Sequence, residues 1–301
     1  MGSRLLAAAA TALACAGPAA ASQLIDRSAT NVRLGVNGKG EALVTYVADG
    51  RQRRVLAWGA VNALRPTASR AQVQFRLDYA GGWGRYRTTY WKTFRDACGP
   101  YRGPKLAWFV TGCTAADGSH WALQAFPQPL PNLGFTPWLP SQRATWLELS
   151  HWSGSLAKLQ VWSDWVYRGR FQQLFGRLTY RGRAVHGFGT TRYGAPTDHY
   201  GRLLYLDTYD SGYGSGWRRE NSFVAHKPTG IFCYGFYPFD PTRGGYVYPP
   251  DYDGGLRGPG TGTGYRITAQ GPGVTPDVVW YGPGLHEFIP AIPGTRRFSA
   301  R

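Results

Sequence analysis

Along most of the chain, hydrophobic and polar positions alternate with a period of two in short runs broken by glycine, proline and Asx turns. Residues 72–79 set Val73, Phe75, Leu77 and Tyr79 against Gln72, Gln74, Arg76 and Asp78, the pattern of a strand with one covered and one wet face. A meander is predicted over 31–36, 42–48 and 54–60, joined by turns at Asn37-Gly38 and Asp49-Gly50; both dipeptides are strong hairpin signals. Residues 106–111 and 120–126 predict a further pair around Ala116-Asp117-Gly118. More strands are expected over 145–152, 159–167, 171–180, 184–188, 203–209 and 231–237, with 265–269 and 278–281 as edge strands of the tail. Tyr-Arg-Gly-Arg at 167–170 and 180–183 marks two hairpin turns. Helical tolerance is confined to about one turn near 153–158 and 171–174.

This pattern predicts an all-β fold: a large antiparallel β-sandwich with jelly-roll or concanavalin-like layering, built either as one body or as two packed β sub-domains. Residues 127–140 carry Pro127, Pro129, Pro131, Pro137 and Pro140. That spacing denies ladder hydrogen bonds and favours an extended connector. The expected organisation is therefore 1–21, a leader; 22–126, the meander region; 127–140, the connector; and 141–301, an aromatic-rich β region. The last 61 residues of that region hold 13 Gly and 9 Pro.

The leader is recognised by Arg4, an apolar stretch of about a dozen residues, and Ala19-Ala20-Ala21 before Ser22. Those are the parts of a secretory signal peptide, and the stretch is too short to span a bilayer. A retained anchor or a lipidated Cys15 is the weaker alternative. No later segment holds 18 uninterrupted apolar residues, so the mature chain is expected outside the cytoplasm, secreted or associated with the cell envelope, without a transmembrane segment. In an oxidising compartment Cys98 and Cys113 are the favoured disulfide, leaving Cys233 as a buried thiol; other pairings of the three remain open.

Composition alters this picture in one respect. The whole chain has 34 basic residues against 17 acidic ones, a net charge of +17. Such a field attracts polyanions, but arginine dominates and is scattered, with clusters only at 51–54, 218–219 and 296–297. A solvated basic surface accounts for as much of this charge as a dedicated anionic partner does.

Candidate chemistry is mostly excluded. There is no G-x-S-x-G elbow, no H-E-x-x-H and no P-loop, and the glycine run 258–264 lacks the strand–turn–helix context of a dinucleotide site. No metal site and no cofactor are expected; Asp251-Tyr252-Asp253-Gly254 is better explained as an Asx turn than as a calcium loop. Paired carboxylates remain, as glycoside cleavage uses. Strand parity places Trp146, Glu148, Ser150 and Trp152 on one face, and Leu147, Leu149 and His151 on the other. Glu148, Asp164 and Asp207 each lie within an aromatic stripe and are the candidate catalytic acids.

Aromatic residues are the densest feature between 146 and 217. Flat rings cover the C–H faces of sugars while their polar atoms orient them. Trp152, Trp162, Tyr209, Tyr213, Trp217 and Arg218 are the candidate binding residues, with 212–219 the sharpest case because aromatics and arginines on an expected glycine-rich loop do not belong to a core. The expected function is non-catalytic binding of an extracellular polysaccharide or anionic envelope polymer. The alternatives are a carbohydrate-active hydrolase or lyase using the three acids, and a structural envelope protein. Secretion disfavours nucleic acid as the partner.

Overall fold

The computed structural model describes residues 22–64, 72–127, 144–166, 171–185, 189–190, 196–197, 204–211, 214–219, 223–226, 231–235, 239–240, 245–246 and 263–283. These residues form antiparallel sheets, as the alternating pattern predicts. The first sheet has the order Gln23–Arg27, Thr145–Trp152, His120–Pro127, Phe109–Thr114, Gly99–Pro100. The second is the predicted meander, Thr30–Val36, Ala42–Ala48 and Arg51–Trp58, extended by Arg76–Asp78. The third runs Lys158–Val166, Phe171–Tyr180, Ile231–Gly235, Phe223–His226. The fourth runs Gly214–Arg219, Leu204–Ser211, Gly264–Ala269, Val278–Pro283.

Sheets pack in pairs through the apolar faces of their strands. Ala42, Val44, Tyr46 and Ala48 of the second sheet alternate into a core shared with Trp121, Leu123, Leu147 and Leu149 of the first. Leu174, Leu178 and Tyr180 of the third sheet meet Leu206, Tyr265, Ile267 and Ala269 of the fourth. Two sandwiches result. Between them, the opposite face of the first sheet meets the segment 270–277 and the fourth sheet through polar side chains. The strand Thr145–Trp152, which follows the proline-rich segment, is paired with His120–Pro127, which precedes it. Residues 128–140 of the connector lie outside the described residues.

Local chemistry explains where the chain departs from expectation. Asp49 and Gly50 both adopt left-handed φ, 51° and 69°, as a two-residue hairpin requires. The Asn37 turn is longer: Asn37 Oδ1 accepts from Lys39 N and Glu41 N, and Gly40 rather than Gly38 takes the positive φ. Residues 171–174 belong to the strand predicted over 171–180, and single helical turns that the pattern does not predict occur at Trp83–Tyr86 and Tyr90–Thr93. Gly264–Ala269 is an inner strand of its sheet rather than an edge, and Tyr265 to Ala269 are all buried. No helix among the described residues is long and apolar enough to cross a membrane.

Cys98 and Cys113 form the expected disulfide, with Cα atoms 5.7 Å apart. Cys113 belongs to the first core, so the bridge ties the 99–112 loop to it. Replacing both cysteines by serine is expected to lower stability by about 3 kcal/mol, read from the urea midpoint. The side chain of Cys233 lies outside the described residues.

Candidate functional site

Glu148 stands where strand parity put it, on the face of Thr145–Trp152 turned away from the second sheet. That face is not wet: Glu148 is 0% exposed. Ser22 Oγ donates to Glu148 Oε2 at 2.6 Å and lies 3.2 Å from Asp277 Oδ1. Gln270 Nε2 donates to Glu148 Oε1 at 3.4 Å, and Gly271 N donates to Asp277 Oδ1 at 3.0 Å. Gln124 closes the layer by accepting from Asp277 N at 3.0 Å and donating to Ala107 O at 2.9 Å. Burial, then the neighbouring Asp277 carboxyl, pushes the Glu148 carboxyl well above the usual range.

Two carboxyls this close have the composition of a hydrolytic pair, but both are buried and a polymer cannot reach them in the folded chain. Asp207 is a separate case, receiving Arg266 Nε at 2.9 Å and Nη2 at 2.7 Å on one oxygen. The side chain of Asp164 lies outside the described residues. Strand parity identified Glu148's face; its partners Ser22, Gln270 and Asp277 carry no sequence signal that links them to it.

The fourth sheet leads out of this polar layer to an exposed aromatic face. Asp207 and Arg266 are opposed across two strands, and Tyr281 is opposed to Arg266 on the next. Two residues along from Asp207 on the same face, Tyr209 is opposed to Trp217. Tyr209 is 40% and Tyr281 55% exposed, with Trp217 half-buried between them. Trp217 lies 5.1 Å from Tyr209 and 5.9 Å from Tyr281, ring centre to ring centre. The Arg266 guanidinium sits 4.7 Å from the Trp217 ring and 5.3 Å from that of Trp108, anchored from below by Asp207.

The structure thus brings Tyr209 and Trp217 together and adds Tyr281, which the sequence placed on a strand but did not single out. Trp162 is exposed on the third sheet beside Phe175. Trp152 is fully buried against Tyr101, Leu106 and Leu156 and presents no face to solvent. Tyr213 and the side chain of Arg218 lie outside the described residues.

A cavity of about 440 Å³ opens on the first sandwich, lined by Asp26, Tyr46, Arg53, Arg54, Tyr79 and Trp91 among others. Arg53 and Arg54 of the 51–54 cluster line it. Arg53 is held by Asp26 at 3.0 Å and Asp49 at 2.7 Å. Arg54 stacks 4.1 Å over Trp91 and donates to Gln52 Oε1 at 2.6 Å, so its charge meets no acid among the described residues.

His151 fills the opposite face of its strand, stacked 3.8 Å from Trp121. Its Nδ1 donates to Ala60 O at 2.7 Å and Nε2 lies 2.9 Å from Ser119 Oγ, whose proton goes to Asp117 Oδ1 at 2.6 Å. Burial lowers the imidazole to about 4, against the Ala60 carbonyl and the Asp117 charge, which pull it up. The unfolded chain therefore binds the extra proton first. This contribution is complete above about pH 6.5 and is lost as pH falls towards about 4, amounting to about 3 kcal/mol. His151→Gln is expected to flatten the dependence of the urea midpoint over that window; an unchanged slope would contradict the assignment.

Among the described residues, no group of three or more His, Cys, Asp or Glu is arranged to hold a metal ion. No family model, curated protein or solved structure matches the chain.

Proposed function

We propose that this is a secreted, non-catalytic protein that binds an extracellular polysaccharide or cell-envelope polymer through the Tyr209–Trp217–Tyr281 face. The observation that carries this reading is three partly exposed rings in contact on paired strands, inclined 58° and 67° to one another, with a buried arginine–aspartate pair against the central one. Side chains held by strands and a second layer of contacts are pre-organised, so little rotamer freedom is lost when a ligand covers them. Rings of this kind cover the apolar face of a sugar, and the tyrosine hydroxyls orient its polar edge.

The cavity at Arg54 favours the acidic arm of this reading. A guanidinium stacked on Trp91, with no carboxylate partner among the described residues, presents planar donors to a uronate or sulfate group. The burial of Glu148 and Asp277 weighs against hydrolysis as the alternative.

Trp217→Ala is expected to weaken retention on a cell-wall polysaccharide by about tenfold with the fold intact, and Tyr281→Ala to do so more weakly. Affinity electrophoresis alongside thermal melting reads both effects. Full retention in the double variant would remove this face from the reading.

A further inference from the structure

Ser22 combines three properties unusual for a residue at the start of a chain. It is 0% exposed; its hydroxyl lies between two buried carboxyls; and its φ is +41°, a left-handed value that a non-glycine residue adopts only under constraint. It is also the residue that follows Ala19-Ala20-Ala21, the small-residue cleavage signal of the expected leader.

We propose that Ala21–Ser22 is a processing site whose product, the α-ammonium of Ser22, becomes the buried counter-charge of the Glu148–Asp277 pair. The proposal rests on residues 1–21 being a secretory leader and is independent of the polysaccharide reading. Water attacks the Ala21 carbonyl carbon and the C–N bond breaks. The oxygen stays on Ala21 as carboxylate, and the nitrogen leaves as the R–NH3+ group of Ser22.

Geometry places that cation. Bond lengths hold a serine nitrogen about 3–4 Å from its own Oγ, so the Ser22 nitrogen lies within about 7 Å of both carboxyls. Ser22 N already donates to Gly273 O at 2.9 Å, which an ammonium retains while gaining two further protons to donate. Ser150 Oγ, on the same face of its strand as Glu148, is buried without a hydrogen bond in the structure. Cleavage also removes the atom that defines φ at residue 22, and the left-handed constraint goes with it. Because Ser22 is fully buried, the bond is cut before the layer closes. A positive group beside two acids that share a buried site favours their ionised forms.

Two measurements test this. Intact mass and N-terminal sequencing of the secreted protein should show a chain that starts at Ser22; any other start overturns the processing site, and leaves polysaccharide retention as a separate question. Three forms are then compared by thermal melting at pH 7: a free Ser22 amine, the same chain Nα-acetylated, and one extended by a single glycine. Both blocked forms should melt about 5–10 °C lower, the cost of removing one member of a buried charge group. In the Glu148→Gln/Asp277→Asn background that difference should vanish. Equal melting of free and blocked forms, or a difference that persists in the double variant, overturns the ion pair.

Discussion

Replacing Arg266 by methionine is expected to lower stability by about 3–5 kcal/mol, because it removes both guanidinium contacts from a buried Asp207 carboxylate. The loss concerns a buried carboxylate deprived of two charge-assisted hydrogen bonds, not the intrinsic strength of an ion pair. A second substitution, Asp207→Leu, should therefore restore much of what the first removes. Urea denaturation of the two single variants and the double one gives the coupling directly. Arg266 also lies beneath Trp217 and Trp108, so the single variant should weaken polysaccharide retention beyond its effect on folding. A single-variant cost below about 1 kcal/mol would place this pair with ordinary surface ion pairs and contradict its burial.

The second large effect is expected at Glu41. Its carboxylate is buried and accepts from Tyr86 OH, from Tyr90 OH at 2.9 Å and from Asn37 Nδ2 at 2.8 Å, with Arg85 Nε at 3.0 Å. Burial alone would raise this carboxyl; the hydrogen bonds from Tyr86, Asn37 and Tyr90, with the Arg85 charge, outweigh it and hold it below the usual range. Glu41 thereby ties both helical turns to the Asn37 hairpin. Those turns hide no residue of their own, so contacts such as this one hold them in place. Glu41→Gln puts an amide donor among four donors and should cost about 3 kcal/mol, with faster hydrogen exchange across residues 83–93. Trp91 sits on the second turn and walls the Arg54 cavity, so retention of acidic ligands should fall with it. The sign with pH follows from the lowered carboxyl: its contribution is present above about pH 4.5 and is lost as pH falls through the folded value. Glu41→Gln should lack that loss.

The same residues show what period-two alternation can and cannot carry. It fixed the meander, the Cys98–Cys113 neighbourhood and the division of Thr145–Trp152 into a leucine face and a Trp–Glu–Ser–Trp face. Parity names a side of a strand but not what covers it. Both faces of Thr145–Trp152 are covered, one by the second sheet and one by the polar layer, which is why Trp152 is core and Glu148 is sealed. The partners of Glu148 come from Ser22 and the 270–277 segment, at opposite ends of the described chain, and no local pattern encodes that meeting. Tyr281 was legible as a strand residue only; its place beside Trp217 follows from the register of three strands. The helical turns escaped notice because a single turn has too few residues to show a 3.6-residue period.

Binding of the mature wild-type protein to an array of neutral and acidic polysaccharides, with single-stranded nucleic acid as a control polyanion, tests the central claim most directly. Retention on at least one glycan is expected, with affinity changing less than about tenfold between 50 and 500 mM salt, because ring stacking is weakly screened whereas phosphate contacts are not. That retention should be lost in Trp217→Ala/Tyr281→Ala. No glycan retained at any salt concentration, or binding confined to nucleic acid and lost steeply with salt, would contradict the account.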